Sequence, residues 1–344
     1  MADKHEVASD DPGLGAIRDR KLSRLSFRYP PVDTRNPGAP ACFLSPVVSR
    51  EFRIPDDVPV SAHPYTYPIQ ELIQANRDRM FLDVGAGLRE PYHDNVVNLD
   101  IYPGVTTDVV SIAEDMPFGD AQFDYVLAFA VMEHVRRPWD VAREICRVLK
   151  PGGTAIIDYP FMSPMHGYPH HYFNATPEGN RSLFEASLDI VSVEAEWQHQ
   201  PAVPLQWMLT VWKSGLSTEL ATEFTDLTIG QLIDWDLTDL LGQRFVTGLD
   251  RDLSQSIAGG TTLVGIKRTA DRAVAARAAG NARTFVAKHS PTARQADADS
   301  VAAELARLRA QVAYLEQAVV TIRASNSWRV TAPLRWCARL FHGN

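Results

Sequence analysis

A glycine turn between two apolar runs is the feature that most restricts how this chain can fold. Residues 80–84 have the length of a buried strand, and Gly85 and Gly87 follow directly. Because glycine adopts backbone conformations closed to other residues, the pair predicts a tight turn. A second run, residues 96–99, ends in Asp100. Neighbouring parallel strands end at one edge of a sheet, so we expect the turn and Asp100 to form a nucleotide or nucleoside pocket, with Asp100 accepting hydrogen bonds from ribose hydroxyls.

Strand and helix patterns alternate around this turn. Apolar spacing predicts a helix over residues 68–77 and another that begins near residue 137 and ends at the Pro-Gly-Gly of residues 151–153. Further strands are predicted at 109–110, from 123 onward, at 154–161, at 188–197 and at 261–268, with a helical cap over 204–259 between the last two. The alternation predicts right-handed βαβ units around a parallel sheet.

Charge and composition exclude several classes of function. The formal net charge of −8 argues against binding along a nucleic-acid backbone, so we expect no nucleic-acid partner. Without an apolar run of export-signal or membrane-span length, the sequence predicts a cytoplasmic location. The three cysteines have no paired spacing, which fits a reducing compartment and indicates no zinc site built on cysteine.

Four ordered motifs carry a resemblance to a known family. The segments "FLDVGAG", "NLD", "AEDMPFGDAQFDYVLAFAVMEHV" and "RVLKPGG" resemble those of class I S-adenosylmethionine-dependent methyltransferases. The resemblance implies an α/β domain over residues 64–268, built on a Rossmann-like sheet of seven strands. Residues 261–268 are the expected antiparallel seventh strand. S-adenosylmethionine is the implied cofactor. A dehydrogenase is the alternative, but the turn lacks the third glycine of a dinucleotide fingerprint.

The same resemblance implies which residues bind the cofactor. They are Asp83, Gly85, Ala86 and Gly87 at its methionine end, Asp100 at the ribose, Ile112 and Ala113 beside the adenine, and Ala128 and Phe129 in the turn under the sulfonium. The family often has aspartate where this chain has Ile112. Adenine recognition is therefore expected from backbone groups or from Glu114.

A histidine-rich segment follows the predicted strand at 154–161, where the acceptor pocket opens in this family. Related methyltransferases often carry "HG.PHDYFRFT" there, and this chain replaces the aspartate and the arginine with His171 and Asn174. Imidazole is suited to remove a proton near neutral pH, so a base for a hydroxyl acceptor is expected here. The alternative is a structural lid. The candidate catalytic residues are His134, His166 and His170, and the candidate substrate-binding residues are Tyr168, His171 and Tyr172. No metal is expected, because no carboxylate accompanies the loop histidines at ligand spacing.

The two ends of the chain differ from its middle. Residues 1–63 lack sustained periodicity and are predicted to be irregular, and residues 269–300 are predicted to be a linker or a solvated helix. Residues 301–324 carry a heptad seam, which predicts a coiled coil and a homo-oligomer. The basic aromatic tail, residues 325–344, resembles the ends of bacterial surface-polysaccharide enzymes, notably glycosyltransferases. Its tryptophan and arginine residues suit binding to a membrane interface or to a groove of a partner protein. The alternative is a helix that packs on its own domain.

Together these features predict an S-adenosylmethionine-dependent methyltransferase that acts on a sugar hydroxyl during surface-polysaccharide biosynthesis. The expected partners are a glycan acceptor and, through the tail, a glycosyltransferase or the inner face of the membrane. Two alternatives remain open. In the first, the protein is a methyltransferase whose acceptor is a lipid or small metabolite. In the second, the methyltransferase-like fold is a non-catalytic scaffold that regulates chain length.

Overall fold

The fold was analysed in a computed structural model. It describes residues 12–32, 37–55, 61–167, 169–195, 199–266, 272–288 and Gln317. The chain divides into two compact units, Met1–Leu209 and Thr210–Asn344. The predicted coiled coil and basic aromatic tail lie outside the described residues, apart from Gln317, so both stay predictions.

The first unit is built on a parallel sheet. Its strands are β1 (Ala41–Cys42), β2 (Phe81–Val84), β3 (Val96–Asp100), β4 (Val109–Val110), β5 (Phe123–Phe129) and β6 (Leu149–Asp158). Its helices are α1 (Pro12–Leu22), α2 (Pro46–Phe52), α3 (Tyr67–Ala75), α4 (Pro138–Val148) and α5 (Pro177–Phe184), and a 3-10 turn covers Ala113–Asp115. The strand order is β1-β4-β3-β2-β5-β6, with every pair parallel. The prediction of a parallel α/β sheet is confirmed.

Burial explains why the central elements were predictable. Every residue of β2 and β3 is buried, as expected for strands covered on both faces. Helix α4 buries Val141, Ile145 and Val148, which lie on one helical face. Strand β6 begins earlier than predicted, because α4 ends at Val148 and the Pro-Gly-Gly segment lies inside the strand. A register shift opposite Phe123 and Tyr125 accommodates it.

The sheet of the described residues has six strands, not the expected seven. Residues 261–266 and 188–195 are described and form no strand. Leu263 and Val191 in these runs are 90% and 98% exposed, so their side chains do not pack on a core. Short apolar runs of this kind do not identify a strand without a pairing edge.

The segment before residue 63 contains more structure than its sequence predicts. Helix α1 has no apolar face of its own but is fixed by Lys21, which is 1% exposed. The Lys21 ammonium lies 2.6 Å from Oδ2 of buried Asp108 and donates to the carbonyl of Val96 at 2.7 Å. A polar anchor leaves no apolar periodicity in the sequence, so the helix was missed.

The described residues of the second unit form helices joined by irregular segments. Helix α6 (Ala202–Ser214) crosses the boundary between the units, and the later helices are α7 (Thr218–Thr225), α8 (Ile229–Asp234), α9 (Leu237–Leu241), α10 (Arg244–Thr247), α11 (Arg251–Ser256) and α12 (Arg272–Lys288). Six of these lie where the sequence predicts a helical cap. The rings of Trp212, Phe224 and Phe245 pack together within this unit. Among the described residues, no helix combines the length and apolarity needed to cross a bilayer.

Candidate active site

The glycine turn after β2 leaves no room for side chains. Gly85 and Gly87 have φ angles of +66° and +59°. A Cβ atom on Gly85 would lie 2.2 Å from Cγ2 of Val131, and one on Gly87 would lie 2.3 Å from the carbonyl oxygen of Ser61. Both the backbone conformation and the close approach therefore require glycine.

Asp100 lies beside this turn, as the sequence predicts. Its Oδ2 atom accepts a hydrogen bond of 2.8 Å from the backbone N–H of Gly87, and its Oδ1 atom accepts one of 3.0 Å from that of Tyr102. Burial raises the pKa of Asp100 above its ordinary value. The backbone amides fix the carboxylate at the carboxyl end of β3, where ligands bind in parallel sheets.

Asp83 is buried beneath the pocket, and its neighbours reach the cavity. Its Oδ2 atom accepts hydrogen bonds from the Tyr65 hydroxyl at 2.7 Å and from Nε of Arg89 at 2.8 Å. Tyr65 and Arg89 line the cavity, whereas Asp83 does not. Sequence reasoning missed both, because Tyr65 precedes the matched motifs and Arg89 lies in an irregular loop.

A cavity of about 650 Å³ opens at the carboxyl ends of the strands. Its lining includes seven of the nine predicted cofactor residues, namely Gly85, Ala86, Gly87, Asp100, Ile112, Ala113 and Phe129. Ala128, like Asp83, is not part of the lining. It is fully buried in the core behind the cavity wall, because its side chain points to the opposite face of β5 from Phe129.

Glu114 supports the cavity wall. Its Oε1 atom accepts hydrogen bonds from the backbone N–H groups of Arg136 and Arg137, at 3.0 and 3.3 Å. Burial raises the pKa of Glu114. These two bonds fix the loop before α4 and occupy Oε1. Adenine binding by the second oxygen of Glu114 or by backbone groups stays a prediction.

Three histidine rings meet at one end of the cavity. The ring centres of His134 and His166 are 5.1 Å apart, and that of His171 lies 5.5 and 4.7 Å from them. His170 is not in this cluster, because its Nε2 atom lies 3.2 Å from the carbonyl oxygen of Arg53. Of the three candidate catalytic histidines, the structure therefore brings His134 and His166 together and places His170 apart from them.

The other loop residues are placed as follows. His134, His166, His170 and Tyr172 line the cavity, whereas His171 packs behind His166. His171 is occupied on both nitrogens: Nδ1 accepts from the backbone N–H of His166 at 3.3 Å, and Nε2 lies 2.8 Å from Oδ1 of Asn174. Tyr168 lies outside the described residues, so its predicted role stays a prediction.

Glu133 lies directly beneath the histidine cluster. Its side chain is 1% exposed, and neither carboxylate oxygen has a hydrogen-bond partner among the described residues. Oε1 lies 3.6 Å from Nε2 of His134 and 3.8 Å from Nε2 of His166. Burial raises the pKa of Glu133 to about 7 and lowers that of His134 to about 4.

This geometry corrects the expectation that no carboxylate accompanies the loop histidines. The ligand atoms of Glu133, His134 and His166 all lie within 4.8 Å of one another. The loop after β6 folds back over the end of β5, where the backbone N–H of Tyr172 donates to the carbonyl of Glu133 at 2.7 Å. Glu133 and His166 are far apart in the sequence, so linear spacing does not reveal the group.

A second carboxylate and histidine pair also lines the cavity. Asp158 ends β6, and its Oδ1 atom lies 2.8 Å from Nε2 of His199. Because ligands bind at the carboxyl ends of parallel strands, the position of Asp158 could have identified it as a site residue from the sequence. Nothing in the sequence connects it with His199.

Comparisons with known proteins agree with the central motifs. Residues 82–157 match the profile of a family described as "Methyltransferase domain". An uncharacterized methyltransferase of Mycobacterium avium (strain 104) is 41% identical over 54 residues, which are 15% of this chain and 21% of the relative. One of Mycobacterium sp. (strain KMS) is 34% identical over 70 residues, 19% of this chain and 28% of the relative. The chain thus spans only 21% to 28% of the length of these relatives.

Two solved structures are distantly similar. YcgJ protein from Bacillus subtilis aligns with a TM-score of 0.31 at 14% identity, over 46% of this chain and 88% of that protein. Haemonchus contortus phosphoethanolamine N-methyltransferase 2, solved with phosphomonomethylethanolamine and S-adenosylhomocysteine, aligns with a TM-score of 0.30 at 15% identity, over 56% of this chain and 49% of that protein. The profile match supports a methyltransferase with S-adenosylmethionine as its cofactor.

Proposed function

We propose that this protein is an S-adenosylmethionine-dependent methyltransferase that acts on a hydroxyl group of a sugar. The observation that carries the proposal is the side-by-side placement of the glycine turn and buried Asp100 in the lining of a cavity of about 650 Å³. A pocket of this size holds a ligand as large as a nucleoside together with part of an acceptor.

The residues present fit the cofactor. Gly85 and Gly87 carry no side chains, so the turn lines the cavity with backbone atoms, and the N–H of Gly87 holds the Asp100 carboxylate beside them. Asp100 keeps acceptor capacity beyond the backbone amide bonds that it receives, since a carboxylate has about four lone-pair sites. When bound, S-adenosylmethionine supplies an electrophilic methyl group.

The histidine end of the cavity is the candidate acceptor site. Nδ1 of His134 lies 2.8 Å from the carbonyl oxygen of His170, and Nδ1 of His166 lies 2.8 Å from that of Pro164. Because each Nδ1 then carries a hydrogen, each Nε2 is left with a lone pair. Either Nε2 atom can accept the proton of a bound hydroxyl, which is what an O-methyltransferase requires of its acceptor site.

The acceptor class rests on two further features. Aromatic surface from Tyr172 and Phe129 lines the cavity and suits the apolar face of a sugar ring. The sequence resemblance of residues 325–344 to the tails of surface-polysaccharide enzymes supports a glycan acceptor and contact with a glycosyltransferase or the membrane. A cytoplasmic site of action and self-association through residues 301–324 belong to the same proposal.

Methyl transfer from radiolabelled S-adenosylmethionine to candidate acceptors tests this function. Nucleotide sugars and oligosaccharides of surface polysaccharide form one arm, and lipids and small metabolites form the other. Transfer to the first arm alone supports the proposal, and transfer to the second alone corrects the acceptor class. Cofactor binding without transfer to any acceptor favours the scaffold alternative, and absence of cofactor binding overturns the assignment as a methyltransferase.

A further inference from the structure

The carboxylate of Glu133 lies close to the Nε2 atoms of His134 and His166. Among the described residues, no hydrogen-bond donor contacts this carboxylate. The bonds of both Nδ1 atoms to backbone carbonyls leave lone pairs on the two Nε2 atoms. Both atoms approach Oε1 of Glu133, at 3.6 and 3.8 Å. Lone pairs and a carboxylate repel one another in a buried site unless a proton or a cation lies among them.

We propose that Glu133, His134 and His166 bind a divalent transition-metal cation, with Zn²⁺ as the reference ion. Two imidazole nitrogens and one carboxylate oxygen are a donor set that Zn²⁺ binds in proteins. With metal–ligand bonds of about 2.0–2.2 Å, tetrahedral donors lie about 3.3–3.6 Å apart. The two distances to Glu133 are close to this range, and the full set of ligand atoms lies within 4.8 Å.

The surroundings hold the two imidazoles as metal ligands are usually held. Histidine ligands commonly donate their second nitrogen to a carbonyl or carboxylate, which fixes the ring and its tautomer. His134 and His166 both do so. Gly167, with a φ angle of +83°, packs against the His134 ring, and a Cβ atom there would lie 2.2 Å from its Cε1 atom. The loop therefore fits around the ring in this one orientation.

His171 is excluded from the site by its own contacts. Its Nδ1 atom accepts from the His166 backbone, and its Nε2 atom faces the side-chain oxygen of Asn174. It therefore supports the position of His166 from behind and offers no free nitrogen to a cation. The matched control is His170, which lies on the same loop but outside the ring cluster, with its Nε2 atom 3.2 Å from the carbonyl oxygen of Arg53.

Three protein donors leave a tetrahedral shell with one further position. His134 and His166 line the cavity, so the fourth ligand can come from the cavity. Under the proposed function that ligand is the acceptor hydroxyl. The cation would raise its acidity in place of the base role of the two Nε2 atoms, which would then be metal ligands, and the hydroxyl proton would pass to water in the cavity. This role depends on the proposed function, whereas binding of the cation does not.

Metal titration of the full chain tests the site. Untagged protein is stripped with EDTA and titrated with Zn²⁺ by calorimetry and with Co²⁺ by visible absorption. We expect one equivalent to bind, with the ligand-field bands of Co²⁺ in a nitrogen and oxygen site. Glu133→Gln, which keeps the size of the side chain, and His166→Ala should each weaken binding at least about 100-fold, while His170→Asn should change it less than about threefold, because its side chain does not contact the cluster.

Cofactor binding in the same samples separates the two proposals. Folding of each variant is checked by circular dichroism, and if Glu133→Gln fails to fold, His166→Ala decides the outcome. Absence of specific Zn²⁺ binding, or equal binding by wild type and His166→Ala, overturns the metal site and indicates a proton shared with Glu133 instead. If S-adenosylmethionine still binds in that case, the proposed function stands. If Zn²⁺ binds and S-adenosylmethionine does not, the metal site stands and the proposed function is overturned.

Discussion

Gly87 and Asp100 are joined by a hydrogen bond of 2.8 Å from the backbone N–H of the glycine to Oδ2 of the carboxylate. The bond links the turn after β2 to the end of β3, which are the two features that the sequence singled out. Because Asp100 is fixed by backbone amides and not by long side chains, it loses little entropy when a ligand binds.

Asp100→Ala should weaken binding of S-adenosylmethionine and of its demethylated product. Loss of the hydrogen bonds to the ribose is expected to cost about 1 to 3 kcal/mol, measured by calorimetry. Asp78→Ala is the control, because that side chain is 83% exposed and lies away from the turn. Equal affinity in wild type and Asp100→Ala would remove Asp100 from the site.

Gly87→Ala should cost more stability than Gly152→Ala, although both glycines have positive φ angles of +59° and +78°. A Cβ atom on Gly152 meets nothing within 4 Å, so that variant reports backbone strain alone, about 1 to 2 kcal/mol. At Gly87 the added atom also collides with the carbonyl of Ser61. Urea unfolding measures the free energy of unfolding of both variants. Equal losses of stability would show that the contact between the new Cβ atom and the Ser61 carbonyl is relieved without cost.

The centre of the fold was predictable because its apolar residues repeat with the period of their elements. The buried runs of β2 and β3 and the apolar face of α4 each leave a pattern in the sequence. Helix α1 leaves none, since Lys21 anchors it by a polar contact. The expected strand at 261–268 is the opposite case: its apolar run predicts a strand, but residues 261–266, the part that the structure describes, pair with no strand.

The candidate site divides in the same way. The glycine turn and Asp100 occur at strand ends, so parallel topology alone brings them together. Glu133 and His166 meet only because the loop after β6 folds back over β5, a tertiary contact with no signal in linear spacing. The partners of Asp83, namely Tyr65 and Arg89, were missed for the same reason.

Lys21→Met should destabilise the protein even though the side chain keeps a similar length. Removal of the ammonium leaves the buried carboxylate of Asp108 without its nearest cation, a loss of about 3 kcal/mol. Arg20→Met on the exposed face of α1 is the control and should change stability by less than about 0.5 kcal/mol. Similar urea midpoints for the two variants would show that α1 contributes little to the fold.

The heptad segment predicts a change of assembly on truncation. Val301, Leu305, Leu308 and the later seam positions up to Ile322 are all apolar, so the full chain should form a dimer or trimer. A chain shortened to end at Arg294 should be monomeric by multi-angle light scattering. The same number of chains per particle in both samples would contradict the coiled-coil prediction.

Histidine substitutions should separate the cluster from the rest of the loop. His134→Ala and His166→Ala each remove a cavity-lining nitrogen beside Glu133, and turnover should fall by about 100-fold or more, whether that nitrogen accepts a proton or binds a cation. His170→Ala should be slowed much less, because Nε2 of His170 faces the carbonyl of Arg53 and not the cluster. Cofactor affinity should stay unchanged in all three, which places the loss in the reaction and not in binding. The measurement is methyl transfer to the glycan acceptor alongside calorimetric cofactor binding. Near-normal turnover in His166→Ala would show that the loop is a structural lid, and a slow His170→Ala enzyme would return His170 to the acceptor site.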